Sequence, residues 1–291
     1  MTEIKYSVSR FITTKLKNIC PTSVTEYFAL IGFIIILTII LMAIFAPFIA
    51  PYDPIKKVGE ILESPNSKFI LGTDGLGRDI LSRIIYGAQT AICVTFLAVS
   101  ISLSCGVLLG LVSGYAGGKF DSIFSLVMDA IYSFPGLILA IVLAAMLGPG
   151  IINTAIAIAV IYTPTYFRMV RGVVLSLKES LFIEAARAIG AKDRTIVFKY
   201  IFPNVLSSIP IVLSLNAADA VLTLAALSFL GLGLPAPTPD WGFDLKAGHA
   251  YLASKIWWPS TFPGLMIVLL TLGFSLFGEG INEILNPELR K

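Results

Sequence analysis

The chain has 291 residues, of which 56% are hydrophobic and 13% are charged, and its formal net charge at pH 7 is +3. Its mean hydropathy is +0.88. Soluble globular domains carry about twice this share of charged residues, so the composition excludes an ordinary soluble domain and predicts an integral membrane protein. Because the sequence also lacks the ten-residue alternation typical of membrane barrels, we expect an all-α bundle.

Apolar runs long enough to cross a bilayer, which takes about 20 residues, occur at six places. They lie near residues 28–50, 88–114, 123–147, 151–167, 205–234 and 262–281. The third and fourth runs are separated by Gly148, Pro149 and Gly150, which combine a helix breaker with two flexible residues. The sequence therefore predicts six transmembrane helices, with a tight hairpin between the third and the fourth.

The distribution of lysine and arginine predicts how these helices are oriented, since basic residues accumulate on the cytoplasmic side. With the amino terminus in the cytosol, the inner segments hold 14 of the 21 basic residues. These segments are 1–27, 115–122, 168–204 and 282–291. We therefore expect a multi-pass protein of the cytoplasmic (inner) membrane with both termini in the cytosol.

The predicted domains follow in chain order. They are a cytosolic amino-terminal lead (1–27), a first transmembrane helix (28–50), an extracytoplasmic loop (51–87), a five-helix core (88–281) and a cytosolic tail (282–291). The first helix could instead be a cleaved signal, because residues 43–50 are rich in small side chains. Its apolar run exceeds the signal core of about 7 to 15 residues, and Pro47 and Pro51 fit cleavage poorly, so a retained anchor is favoured.

The end of the extracytoplasmic loop has its own pattern. Residues 71–79 combine turn formers with charges, and Ile80, Ile84 and Ile85 then follow at helical spacing, with Ser82 and Arg83 on the other side. This pattern predicts a short interfacial helix that leads into the second span.

Small residues recur every four positions in the second span: Ser102, Gly106, Gly110 and Gly114. Such a row lets another helix approach closely in a membrane, where no hydrophobic effect drives association. We therefore predict a helix-packing face. The alternative is that glycine is simply common in membrane helices.

The outer loop (235–261) contains all three tryptophans, Trp241, Trp257 and Trp258. Tryptophan suits the headgroup zone because its ring is apolar and its edge is polar. Anchoring at the membrane interface is the favoured interpretation, and a role at a pore mouth or partner surface is the alternative.

Metal and nucleophile chemistry has little support in the sequence. His249 is the only histidine, and Cys20, Cys93 and Cys105 are isolated from one another. Without a CxxC pair or a mixed cysteine and histidine cluster, no disulfide, metal site or catalytic group is indicated.

The segment 168–204 is the one long polar passage between two apolar blocks. Apolar residues from Leu177 to Ile189 lie on one face of a helix, with charged residues off that face. Gly190 follows where a left-handed helix terminator is expected. Asp193 is a candidate cap for a second helix, which Pro203 would end.

This helix, sharp turn and helix would form a docking surface in the cytosol. Ala185 and Ala186 would leave the surface flat enough to enter a groove, and the charges around them would fix the register of docking. The alternative is an interfacial loop that merely lies on the membrane.

Motifs spread over nearly the whole chain resemble one family. Glu184-Ala185-Ala186, Gly190 and Tyr200-Ile201-Phe202-Pro203 resemble the signature loop of ATP-binding-cassette (ABC) importer permeases. The remaining motifs resemble the C-type permease of the dipeptide, oligopeptide and nickel importers. They are residues 71–83, 114–118 with Asp121 and Asp129, Phe134-Pro135, Pro203-Asn204, 227–233, 239–242, 278–280 and 286–287.

The resemblance implies the type I ABC importer permease fold and a heterodimer with a second permease subunit. It also implies two cytosolic ATPase subunits and an extracytoplasmic solute-binding protein as partners, besides membrane lipid, and no nucleic acid. The implied ATPase-docking residues are Glu184, Ala185, Ala186, Arg187, Gly190 and Asp193. This chain lacks a GxxxxGK[ST] phosphate loop, so it is not expected to be an enzyme or to bind a cofactor, and ATP and magnesium would be held by the partners.

Acidic residues near the apolar spans point to a solute route, because such groups normally face protein or water. Asp219 is the deepest, and with Asn216 and Ser214 it is the candidate lining of the translocation path. A purely structural hydrogen-bonding role is the alternative. Asp129 and Glu279 lie nearer the inner face, where a structural role is favoured.

Two rival functions deserve comparison with an importer permease for peptides or related small solutes. A proton-coupled secondary transporter could use the membrane acids as a relay, but the sequence shows no inverted halves. An intramembrane enzyme would need a nucleophile with a base, paired carboxylates or metal ligands, and no such set stands out.

Overall fold

The protein is described by a computed structural model that covers residues 24 to 285. Most of the predicted amino-terminal lead, Cys20 and the tail beyond residue 285 lie outside the described residues. Within these residues the chain is helical and forms no β-strand, so the predicted all-α class is confirmed. The helices are α1 (Val24–Ile44), α2 (Ala46–Ile49), α3 (Ile80–Ala116), α4 (Gly118–Ser133), α5 (Gly136–Leu147), α6 (Ile151–Lys178), α7 (Leu181–Ala188), α8 (Asp193–Leu230), α9 (Trp241–His249) and α10 (Trp258–Leu285).

Four helices in the described part of the chain are long and apolar enough to cross a membrane on their own: α1, α3, α8 and α10. Helices α4 and α5 qualify only as a pair, and they meet at an angle of 95°. Helix α6 has 28 residues, but it is not among the helices that qualify on their own. The count of six transmembrane helices therefore stays a prediction.

The predicted third span is broken rather than continuous. Phe134 has an extended backbone (φ −80°, ψ 141°), and Pro135 precedes the first residue of α5. A proline ring disfavours the helical region for the residue before it, so the chain turns between α4 and α5. The prediction of one helix over 123–147 is wrong, whereas the hairpin at 148–150 is confirmed because α6 begins at Ile151.

Helix α3 packs closely against α6 along the predicted row of small residues. The row consists of Ser102, Gly106, Gly110 and Gly114, all of which are buried. A Cβ atom on Gly106 would lie 2.5 Å from the Cβ of Tyr166, and one on Gly110 would lie 2.8 Å from the carbonyl oxygen of Phe167. A side chain at either glycine would therefore collide with α6, so the close approach of the two helices requires glycine at these positions.

The loops gather at two ends of the bundle. At one, here called the α9 end, Arg83 at the start of α3 bonds to Asp244 of α9 at 2.7 Å. At the other, here called the α7 end, Tyr115 at the end of α3 bonds to Asp193 at the start of α8. The loops at the α9 end are those predicted to be outer, and the loops at the α7 end are those predicted to be inner. Which end faces the cytosol stays a prediction.

Helix α3 begins earlier than the sequence indicated. It runs without a break from Ile80, and the Asp79 carboxylate caps it by accepting the backbone N–H of Ser82 at 2.8 Å. Ser82 and Arg83 are buried, and the side chain of Arg83 is only 2% exposed. The predicted helix that leads into the second span is thus the first part of α3 itself, and its Ser82 and Arg83 side find partners within the protein.

The tryptophans of the outer loop differ in their environments. Trp241 is buried, and its indole N–H donates to the carbonyl oxygen of Ile84 at 3.0 Å. Trp258 donates to the carbonyl oxygen of Thr73 at 3.3 Å, while Trp257 is about half exposed. Membrane anchoring is therefore the wrong interpretation for Trp241, which ties α9 to α3.

Candidate functional site

The predicted docking segment contains a short exposed helix at the α7 end. Helix α7 is separated from α6 by Glu179 and Ser180, so the predicted single helix from Leu177 to Ile189 is wrong. Gly190 has a φ of +82° with nothing within 4 Å of a Cβ built on it. The expected left-handed glycine after the helix is thus confirmed.

The apolar face that the sequence traced on this helix points outward. Leu181 is 81% exposed and Ile189 is 83% exposed, and Ala185 lies between them on the surface. Large apolar side chains this exposed mark either a partner surface or a membrane contact. We call this set the α7 face: Leu181, Ala185 and Ile189.

The opposite side of α7 is anchored in a small core. Ile183 and Ala186 are both buried, and Ile183 packs in a cluster of side chains from α3, α6 and α8. That core comprises Val107, Leu111, Val170, Val174, Ile183, Ile196, Ile201 and Val205. Ala186 was predicted to contribute to the docking surface, but its side chain is buried, whereas Glu184, Ala185 and Arg187 are exposed.

Tyr115 connects the end of α3 to three parts of the docking segment. Its hydroxyl donates to the Asp193 carboxylate at 2.5 Å, and its carbonyl oxygen accepts from the Lys178 ammonium at 2.7 Å. The Arg187 guanidinium lies 5.8 Å from the centre of its ring. Asp193 was predicted to cap the second helix, but Lys192 occupies the N-cap position, and the Asp193 carboxylate instead accepts the hydrogen bond from Tyr115.

The second helix of the segment runs on into the membrane span. A π-helical turn occupies Ile196–Ile201, and the N–H of Phe202 bonds to the carbonyl oxygen of Val197, five residues back. Pro203 was predicted to end this helix, yet α8 continues through it. The wider turn accommodates a residue that has no N–H to donate and whose ring would clash with a regular helix.

Helix α4 is held to α6 by two ion pairs near the same end. Arg171 binds the Asp121 carboxylate through two nitrogens, both at 2.6 Å, and Arg168 binds Asp129 at 2.6 Å. Ser113 also donates to Asp121 at 2.6 Å. Asp129 therefore has the structural partner that the sequence favoured for it.

The three candidate path residues on α8 do not converge on one surface. Asp219 is exposed, whereas Ser214 and Asn216 are buried. The Ser214 hydroxyl donates to the Pro210 carbonyl oxygen, and the Asn216 amide nitrogen has no partner within the described residues. The face of α8 that carries Asp219 also exposes Leu215 and Leu222.

An ionisable side chain on an exposed face inside a span constrains what covers that face. A charge at the bilayer centre costs about 2.5 to 3.5 kcal/mol on insertion scales, so it normally faces protein or water. The exposed Asp219 therefore indicates that this face of α8 is covered by another subunit or by water.

Sequence reasoning did not predict the side-chain partners that tie the helices together. Tyr115, Arg171 and Asp121 carry the ties between helices, and Arg83 with Asp244 holds the α9 end together. The available signal was charge inside or beside apolar runs, since such groups are retained only with partners. Across residues 24–285, no three histidine, cysteine, aspartate or glutamate side chains cluster as metal ligands would.

Comparison with known families matches two parts of the chain. Residues 106–291 match the family described as binding-protein-dependent transport system inner membrane component. Residues 27–65 match the N-terminal transmembrane domain of oligopeptide transport permease C.

Individual relatives agree with this assignment. The chain is 39% identical over 269 residues to the di/tripeptide transport system permease protein DppC of Pseudomonas aeruginosa, covering 90% of this chain and 88% of the relative. It is 41% identical over 267 residues to a dipeptide transport system permease protein DppC of Alkalihalophilus pseudofirmus, covering 90% and 86%. It is also 39% identical over 269 residues to the glutathione transport system permease protein GsiD of Escherichia coli, covering 91% and 88%. The chain therefore belongs to the family of binding-protein-dependent transport system inner membrane components, and it is a permease subunit of an ABC transporter with the type I importer permease fold.

Proposed function

We propose that this permease forms half of a translocation path for short peptides and that a cytosolic ATPase docks on its α7 face. The observation that carries the docking proposal is the α7 face itself, an apolar surface mounted on a rigid base at the end of the bundle. The docking residues would be Leu181, Glu184, Ala185, Arg187 and Ile189, with Gly190 shaping the turn. Asp193 and Ala186 act from behind as anchors.

The energetics favour a partner over water on this face. Fully burying a leucine or isoleucine side chain contributes about 1.5 to 3 kcal/mol, and Leu181 and Ile189 are both more than 80% exposed in the isolated chain. Glu184 and Arg187 flank them and are themselves exposed. Charges at such a rim set orientation and register more than affinity.

Movement of α7 would reach the membrane helices through two connections. One is the core that buries Ile183 against α3, α6 and α8. The other is Tyr115, which bonds to Asp193 and Lys178. Because packed cores rearrange between discrete states rather than deform continuously, a push on α7 would shift α3 and α6 as a pair.

The partners of this permease follow from the same assignment. We propose a heterodimer with a second permease subunit, two ATPases that hold ATP and magnesium at the cytosolic surface, and an external binding protein. The α7 end, with both chain termini, would then face the cytosol. The exposed Asp219 face of α8 would meet the second permease or the solute path that lies between the two.

The proposed cargo is a short peptide. The relatives with about 40% identity are named for dipeptide, di/tripeptide and glutathione transport. ATP-dependent uptake of labelled alanyl-alanine and of labelled glutathione into vesicles that contain the full transporter would test this class. Uptake of neither compound would contradict it.

The docking proposal is tested by replacing the α7 face and measuring ATPase recovery. We expect the amount of ATPase subunit that co-purifies with the Leu181→Ser, Ile189→Ser double variant from membranes to be about tenfold lower than with the parent. The matched control is Ile61→Ser with Ile70→Ser, two exposed isoleucines at the α9 end. Full ATPase recovery with the α7 variant, or import by the purified permease without ATP, would overturn the proposal.

A further inference from the structure

A cavity at the α9 end combines charged groups with apolar walls. It has a volume of about 260 Å³ and lies between the segment after Asp74, the start of α3, α9 and the start of α10. Its apolar wall includes Ile80, Ile84, Phe243 and Pro263. Ligand pockets of drug size span about 300 to 1,000 Å³, so this cavity suits a smaller molecule.

Arg78 supplies unpaired hydrogen-bond donors to this cavity. Its side chain is 7% exposed, and its Nε atom donates to Asp74 at 2.6 Å. Its two terminal amino groups have no hydrogen-bond partner among residues 24–285. Because Arg78 lines the cavity, these donors are open to a molecule that enters it.

Tyr251 contributes a second free donor on the wall of the same cavity. Its hydroxyl group has no hydrogen-bond partner in the described residues. It lies so close to Gly75 that a Cβ atom there would be only 2.4 Å from the oxygen. The absence of a side chain at Gly75 therefore leaves room for the tyrosine ring to line the cavity.

The cavity presents negative groups as well. Asp244 binds Arg83 through both of its oxygens, at 2.7 to 3.1 Å, and Asp74 accepts from the Nε of Arg78. A carboxylate has about four lone-pair sites, so both retain capacity to accept a further hydrogen bond. Two guanidinium groups and two carboxylates make the formal charge of the wall zero.

We propose that this cavity is a binding site for a small zwitterionic solute of dipeptide size, whose free carboxylate is held by the Arg78 amino groups and the Tyr251 hydroxyl. The amino group of the solute would face Asp74 or Asp244. The two terminal amino groups of one arginine can donate to both oxygens of a carboxylate at once. The net-neutral wall favours a molecule that carries both charges. The inference rests on the proposed import of short peptides and adds a site on the permease itself.

Equilibrium binding tests this site without any transport step. The complete transporter in nanodiscs, lacking the binding protein and ATP, is titrated with L-alanyl-L-alanine by calorimetry into the millimolar range. Parallel titrations use alanyl-alanine amide, which lacks the carboxylate charge, and N-acetyl-alanyl-alanine, which lacks the amino charge. We expect saturable binding of the free dipeptide, no binding of the amide and weaker binding of the acetylated form.

Variants then locate the binding. Arg78→Lys keeps the charge but loses the fork, and Tyr251→Phe removes only the hydroxyl. Each should weaken binding about tenfold or more. Ala247→Trp fills the cavity from its exposed rim without removing a polar group, so it should abolish binding. It provides an independent test in case Arg78→Lys does not fold. Tyr52→Phe is the matched control, because its hydroxyl lies at the same end but outside the cavity.

The possible outcomes separate this inference from the import function. Absence of saturable dipeptide binding, equal binding of the amide, or unchanged binding in Ala247→Trp would overturn the site. None of those results would affect ATP-driven uptake or its dependence on the α7 face. Conversely, failure of ATP-driven import would contradict the proposed function while the titration could still show an occupied cavity.

Discussion

The hydroxyl of Tyr115 donates a 2.5 Å hydrogen bond to the carboxylate of Asp193, which joins the last turn of α3 to the first turn of α8. These residues are 78 positions apart in the chain. Helices α4, α5, α6 and α7 lie between them in the chain, so this bond is a long-range contact at the α7 end. It makes the docking segment part of the bundle rather than an appendage.

Replacing Tyr115 by phenylalanine should uncouple ATP hydrolysis from transport. The variant keeps the ring beside Arg187 but loses the bond to Asp193, and a hydrogen bond to a charged group contributes about 1.5 to 3 kcal/mol, less when exposed. We expect the amount of peptide imported per ATP hydrolysed to fall severalfold in vesicles. Tyr132→Phe is the control, since Tyr132 also lies beside an arginine but has no hydroxyl bond among the described residues. Equal coupling in both variants would contradict a positioning role for Tyr115.

Replacing Gly110 by alanine should destabilise the pair of α3 and α6. The new methyl group would lie 2.8 Å from the Phe167 carbonyl oxygen and 2.9 Å from the Cβ of Val170. Overpacking of this kind typically costs about 1 to 3 kcal/mol. Thermal unfolding in detergent would show a lower apparent midpoint. Gly172→Ala on α6 is the control, because nothing lies within 4 Å of its added Cβ, and an equal loss there would contradict the packing explanation.

Replacing Asp219 by asparagine tests the proposed path face of α8. The side chain is exposed within the span, so removal of its charge should change how a peptide with a positive amino terminus passes. We expect a severalfold change in uptake rate or in preference between free and N-acetylated dipeptide. Glu60→Gln removes an exposed acid outside the membrane and serves as the control. If the rate and preference of Asp219→Asn match the parent, Asp219 does not line the path.

Acidification should strengthen the α9 end through Asp244. Burial raises the pKa of this carboxyl from an ordinary value of 3.8 to about 6, against the opposing attraction of Arg83. Because the folded pKa is the higher one, the stabilising contribution is complete below about pH 4 and is lost as the pH rises through 6. Losing this contribution lowers the free energy of unfolding by an amount on the order of 3 kcal/mol.

The measurement compares unfolding midpoints of the parent and Asp244→Asn from pH 4 to pH 7. The unfolding midpoint of the parent minus that of Asp244→Asn should be larger at pH 4 than at pH 7. Asp53→Asn is the control: the backbone N–H of Ile55 lowers the pKa of the exposed Asp53 from 3.8, so its parent-minus-Asn difference should stay nearly constant from pH 4 to pH 7. A parent-minus-Asn difference that does not change with pH would contradict the raised pKa of Asp244.

Much of the local structure was predictable because neighbouring residues decide it. The long apolar runs predicted spanning helices, the glycines at 148 and 150 predicted a hairpin, and Gly190 predicted the left-handed end of α7. The break at Phe134 was also readable, since the following proline restricts the residue before it. The error there came from giving hydropathy more weight than proline geometry.

The orientation of side chains at the site was harder to predict. Ala185 and Ala186 are adjacent alanines, yet one is on the surface and the other is in the core. Asp193 resembled a helix cap by position, but a tyrosine from another helix binds its carboxylate. Local patterns cannot anticipate such outcomes, because they depend on which distant element packs against the helix.

By itself, the sequence determined the helical class, the apolar spans, the close-packing glycine row and the family, because these depend on composition, periodicity and short motifs. Only the tertiary structure decided the partners of the buried charges. Arg83 and Asp244 are 161 residues apart and bind each other, and the free amino groups of Arg78 line the cavity between the same elements. Electrostatic pairing depends on distances in space, and those distances are set only when the helices pack together.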